Sequence, residues 1–101
     1  MPVFVIVDIT IHDPATYERY KAMAPSSIFQ YGGRYAVRGA SVTTLEGTWC
    51  PERFVLLEFP TADAAKTWWT SAEYAPAKAL RQASARTEML LVDGPALEKP
   101  A

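Results

Sequence analysis

The sequence predicts an α+β fold in which four strands and two helical regions follow one another as βαββαβ. Three observations predict it: a β-branched opening stretch with a period of two, two apolar stripes at helical spacing that each begin at a capping residue, and turn residues between the segments. The chain has 101 residues, of which 50% are hydrophobic, enough for one core and too few for two domains. One domain is expected over residues 1–94, with a C-terminal tail over 95–101.

Over residues 3–11 the odd positions Val3, Val5, Val7, Ile9 and Ile11 are all β-branched, and the even ones are Phe4, Ile6, Asp8 and Thr10, as in a strand covered on both faces. Asp13-Pro14 then supplies an N-cap and a proline at the first helical position. Tyr17, Tyr20, Ala24, Ile28 and Tyr31 recur every three or four residues, which predicts a helix over 14–31. Pro25 lies inside it and removes a backbone donor, so a kink or restart is expected near Ala24. Gly32-Gly33 ends the helix. Residues 34–45 and 53–59 read as an antiparallel pair of strands, with Glu46-Gly47 and Cys50-Pro51 as turn chemistry in a long loop. Thr61 is placed to cap a helix whose stripe is Ala65, Trp68, Trp69 and Ala72, and Ser71 with Glu73 reads as a fresh start for a short helix through residue 84. Residues 87–93 close the pattern as a strand.

With right-handed crossovers this order gives a four-stranded antiparallel sheet with its helices on one face, the ferredoxin-like arrangement. The other face stays open although its strands carry apolar residues at both parities, and an open apolar face marks an interaction surface. A homodimer with facing sheets is the expected cover.

Ten Lys and Arg against eleven Asp and Glu leave a net charge of -1, with no basic field for a phosphate backbone, so nucleic acid is not an expected partner. One Cys and one His cannot supply the ligands of a zinc site or an internal disulfide, so neither metal nor cofactor is expected, and a reducing, cytoplasmic setting fits. No apolar run approaches the ~20 residues of a membrane span, and the N-terminal stretch lacks the basic region of an export signal.

The even side of the first strand carries Asp8 and then His12. With the third strand beside and parallel to the first, Glu58 joins them on one parity, and in the second strand Arg34 and Arg38 share a parity that a bulge would reverse. One face then holds Asp8, Glu58, Arg34 and Arg38 among apolar neighbours. Such charges are either structural ion pairs or a small pocket. In a pocket, Arg34 or Arg38 would hold a carboxylate or enolate oxygen, and Asp8, Glu58 or His12 would handle a proton. His12 beside the Asp13 cap also reads as a solvated turn residue. Trp68 and Trp69 read as core, with one of them against a pocket wall or a partner. Cys50 has no evident base nearby, and no glycine pattern cradles a phosphate.

The ordered set Tyr31-Gly32-Gly33-Arg34-Tyr35, Arg38-Gly39, Leu45-Glu46-Gly47, Glu58-Phe59-Pro60, Ala64-Ala65, Trp68, Ser71-Ala72-Glu73-Tyr74 and Arg81 resembles the family known as domain of unknown function 1330, over nearly the whole chain. The resemblance implies the dimeric α/β-barrel superfamily, in which two ferredoxin-like protomers pack sheet to sheet, and it adds Tyr74 to Trp68, Arg34 and Arg38 as candidate substrate-binding positions. It brings no established activity. Broader relatives include cofactor-free monooxygenases, muconolactone isomerase and haem-dependent chlorite dismutases, and the single histidine matches no haem motif. Two functions are therefore expected in parallel. One is a dimer that binds a small organic acid or aromatic metabolite for cofactor-independent proton transfer or oxygenation; the other is a non-catalytic, ligand-binding or stress-related dimeric module.

Overall fold

The computed structural model describes residues 2–39 and 41–93, so the expected tail over 95–101 lies outside the described residues. The elements are β1 (Val3–Ile11), α1 (Pro14–Gln30), β2 (Arg34–Arg38), β3 (Arg53–Phe59), α2 (Ala62–Trp69), α3 (Ala75–Ser84) and β4 (Ala85–Val92). They build an α+β ferredoxin-like fold whose one sheet has the order β2-β3-β1-β4. Every neighbouring pair is antiparallel, β3 with β1 included, which corrects the expected parallel relation. A strand returning from a hairpin must run against its predecessor, and β1 and β2 already point the same way because one helix connects them. The same-face assignment survives the correction, since Phe4 stands opposite Glu58 and Asp8 opposite Phe54.

The odd residues of β1 face the helices and form the centre of the core with Val55, Leu57 and Phe59 of β3. From α1 come Tyr17, Ala24 and Ile28, from α2 Ala65 and Trp68, and Tyr74 and Ala77 complete the layer. At Asp13 the carboxylate accepts from the Thr16 backbone N–H at 3.3 Å and from its hydroxyl at 2.7 Å, the cap that the sequence announces. The helix then runs unbroken through Pro25. Proline leaves the Lys21 carbonyl without its intrahelical donor, and Arg38 Nη2 donates to that carbonyl at 3.1 Å instead. Gly32, at φ 82°, turns the chain out of α1 in a left-handed conformation, and Gly33 follows where a Cβ would come within 2.6 Å of the Phe59 ring. The Ser71 hydroxyl accepts from the Tyr74 N–H at 3.1 Å in the turn that separates α2 from α3.

Two elements differ from expectation. The second strand stops at Arg38, and residues 41–52 form an irregular loop across the outer face of the sheet. The sheet also slips register between Tyr35 and Val37: Arg34 pairs with Glu58 and Tyr35 with Leu57, but Val37 pairs with Leu56 and Arg38 with Val55. Arg34 and Val37 therefore face outward while Tyr35 and Arg38 face the helices. Arg34 and Arg38, expected on one face, stand on opposite ones. The molecule is a slab 16 Å thick in its shortest dimension, with a single helical layer on one side of the sheet.

Candidate functional site

The outer face collects Asp8, Glu58 and Arg34, and they do not converge. Arg34 Nε donates to Glu58 Oε2 in an exposed ion pair at one corner. Asp8 lies four residues along β1 from the position opposite Glu58, roughly 13 Å away, and its carboxylate accepts from the indole N–H of Trp49 at 2.7 Å. The Trp49 ring meets Phe54 edge to face at 6.4 Å, which fixes the 41–52 loop on the sheet. Between loop and sheet runs an open groove walled by Ile6, Val37, Leu45 and Phe54. His12 is exposed past the end of β1. Of the seven residues expected at a site, these four, Asp8, His12, Glu58 and Arg34, are outside the helix layer.

The other three, Arg38, Trp68 and Tyr74, belong to the helix side, where polar groups gather unexpectedly. A cavity of about 20 Å³ lies between sheet and helices, lined by Tyr17, Tyr20, Tyr35, Arg38, Arg53 and Trp68 together with aliphatic side chains of the sheet. Arg53 Nε donates to the Tyr17 hydroxyl at 3.0 Å, and its guanidinium stands 5.6 Å from the centre of that ring. It packs against Gly39, where a Cβ would overlap it; glycine there is required both by this approach and by a φ of 66°. Arg38 lies over the Tyr35 ring at 4.6 Å. Behind the cavity the Tyr20 and Tyr74 hydroxyls are 3.1 Å apart, and Arg81, only 4% exposed, donates from Nε to Tyr74 at 3.3 Å. Trp68 is stacked on Tyr74 at 4.2 Å and donates its indole N–H to Ser27 at 3.2 Å.

Charge defines this chamber. Among the described residues the ion pairs are Arg34 with Glu58 and Lys21 with Glu18, so Arg38, Arg53 and Arg81 stand unpaired by carboxylates. Arg81 is buried, Arg53 half-buried and Arg38 exposed, so the cost of withdrawing a guanidinium from water without a counter-charge falls on Arg81 and in part on Arg53, and phenol oxygens offset only part of it. Burial raises the pKa of Tyr17, and the neighbouring Arg53 and Arg81 oppose the rise. Burial also raises Tyr35, opposed by Arg38, and pushes Tyr20 well up. The phenols therefore remain protonated near neutrality, and the chamber can donate hydrogen bonds and positive charge to an anionic oxygen. No Asp, Glu or His lines it. Nor do three His, Cys, Asp or Glu side chains cluster anywhere among the described residues, and no described helix is long and apolar enough to cross a membrane.

A second cavity adjoins the first. Between α2 and the β4 edge lies a cleft of about 490 Å³ lined by Val5, Ala65, Trp69, Leu91, Lys66 and Thr70, and it shares Trp68 and Met89 with the chamber.

Tyr17, Tyr20, Tyr35, Arg53 and Arg81 were not expected at a site. The signal was present: two of the tyrosines hold positions of the α1 stripe where aliphatic residues would pack as well, Arg53 falls on the inward parity of β3 with Val55 and Leu57, and Arg81 shares the buried face of α3 with Ala77 and Ser84.

The sequence model of the family described as Domain of unknown function (DUF1330) matches residues 2–95. The chain belongs to that family. No curated protein matches it. Among solved structures, this DUF1330 chain is similar to the RPA0582 protein of unknown function from Rhodopseudomonas palustris, with a TM-score of 0.77 at 16% identity over 98% of this chain and 84% of that one. It is similar to a dimeric ferredoxin-like protein of unknown function from Jannaschia sp. CCS1, with a TM-score of 0.69 at 11% identity over 93% and 100% of the two chains. SnoaB, a cofactor-independent oxygenase from Streptomyces nogalater, aligns with a TM-score of 0.63 at 14% identity over 95% of each chain. At these identities the likeness is one of fold.

Proposed function

We propose that this DUF1330 protein is a homodimer that binds a small organic acid or an enolisable aromatic metabolite on the helix side of its sheet. The observation that carries the proposal is the arginine and tyrosine cluster whose cavity is lined by no carboxylate, and which supplies the positive charge and hydrogen-bond donors that an anion takes. Arg53 with Tyr17, and Arg38 over Tyr35, would hold the ligand oxygen. A site of this kind favours reactions in which negative charge develops on oxygen, so cofactor-independent proton transfer or oxygenation is the chemistry it suits. The fold shared with SnoaB, described as a cofactor-independent oxygenase, is compatible with that chemistry.

Calorimetric titration with benzoate tests the binding step. Benzoate is expected to bind, and Arg53→Met to weaken it at least tenfold, the loss of one charge-assisted hydrogen bond in a secluded site. Equal affinity in the variant would remove Arg53 from the site. Native mass spectrometry of the purified protein adds the assembly: a dimer with retained mass is expected.

One observation favours a second reading, a non-catalytic dimeric binding or stress-related module. Asp8, His12 and Glu58, the groups proposed to carry protons, stand outside the chamber. In such a module Arg34 and Glu58 set the register of the dimer, and Glu58→Gln weakens association without changing ligand affinity.

A further inference from the structure

The chamber of about 20 Å³ admits one water-sized group, not a metabolite. The adjoining cleft of about 490 Å³ is large enough for an aromatic ring or a short alkyl chain, and no guanidinium lines it. The two share a wall made of Trp68 and Met89. Trp68 is fixed there, 1% exposed, hydrogen-bonded to Ser27 at 3.2 Å and stacked on Tyr74. Met89 is unbranched, partly buried and carried on the edge strand β4, so it is the part of the wall that can swing.

We infer that the ligand is an amphipathic acid that straddles this wall, with its anionic oxygen against Arg53 and Tyr17 and an aryl or alkyl body in the cleft beneath Trp69 and Leu91. The inference rests on the chamber being the anion site and adds the class of molecule that fits. The inner space takes the oxygen and little more, while the apolar walls of Val5, Ala65 and Leu91 reward burial of carbon. Met89 turns aside to join the two compartments.

The test is calorimetric titration of the full chain with benzoate, 3-phenylpropanoate and 5-phenylpentanoate, for the wild type, Thr70→Trp and Met89→Ile. Thr70 is exposed at the cleft, so tryptophan there occupies the cleft from the solvent side without entering the core. Isoleucine at 89 suits a strand but cannot swing as methionine does. In the wild type, affinity is expected to rise about fourfold for each methylene buried, as one CH₂ group leaves water. Thr70→Trp should weaken every acid and flatten the series, the longest acid losing most, and Met89→Ile should weaken the long acids most. If benzoate binds and the wild-type series is flat, or the series stays steep in Thr70→Trp, the straddling ligand is refuted and the anion site stands. If no acid binds the wild type, both fall.

Discussion

Ser27 sits at the junction of α1 and the tryptophan layer. Its hydroxyl donates to the Ala24 carbonyl at 3.0 Å and accepts from Trp68 at 3.2 Å, with the serine 3% exposed. Ser27→Ala would leave the indole N–H buried without an acceptor and is expected to cost about 1–3 kcal/mol in urea unfolding. A loss below 0.5 kcal/mol would show that the indole finds another partner (roughly the edge of what surface changes do). The buried phenols set a pH limit. Tyr17, Tyr20 and Tyr35 have folded pKa values above the ordinary 10.0, chiefly through burial, so the unfolded chain loses these protons first as pH rises. Stability should be level with respect to these groups up to about pH 10 and fall above it. Denaturant titrations at pH 8, 10 and 11 check the sign, and Tyr20→Phe should reduce the slope. These side chains also mark where the sequence was hard to read at the site. A tyrosine in a helical stripe packs like a leucine, and only the fold brings Tyr17, Tyr20 and Tyr35 from two elements onto one cavity.

At the scale of elements, the helix α1 and the strand β2 exchange a hydrogen-bond partner. Pro25 withholds an N–H from Lys21 and Arg38 supplies the substitute. Arg38→Met is therefore expected to destabilise by about 1 kcal/mol. In the Pro25→Ala background the backbone N–H returns to the same carbonyl and that cost should shrink, a coupling that a double-mutant cycle measures. Additive effects would mean that the carbonyl is satisfied by water. The continuous α1 differs from the expected restart near Ala24 because the rule counts the lost donor and cannot see a guanidinium from another element. The boundaries of β1 and β3 were legible, being dense in β-branched and aromatic residues. The end of β2 was not: residues 41–45 alternate plausibly, yet they leave the sheet, and Trp49 finds its anchor on Asp8 far away in sequence.

For the whole molecule, the open sheet face is the surface on which the proposed dimer would form. Leu90 is 64% exposed and Val92 44%, beside Phe4, Ile6 and Leu56, with the Arg34–Glu58 pair at one corner and Glu88 and Arg86 toward another. An isologous pairing of two such faces would bury the apolar centre and keep the charges at the rim. Leu90→Lys is expected to shift the protein from dimer to monomer in sedimentation velocity at micromolar concentration; an unchanged coefficient would place the interface elsewhere. The βαββαβ order and the two-sided character of the sheet were legible because alternation in β1 is strict, whereas which charges share a face depended on one irregular residue step in β2. That step has a genetic corollary. Removing Ala36 would make the ladder even, with Val37 still opposite Leu56 and Arg38 still opposite Val55, so the Arg38 guanidinium would stay on the helix side; Ala36 kept in a ladder without the bulge would instead turn it outward. A codon lost or gained at this step would bring Arg38 to the helix side by plain alternation, so the bulge is how this strand absorbs one odd residue while keeping Arg38 beside Arg53, and short insertions and deletions here can be accommodated without rebuilding the core.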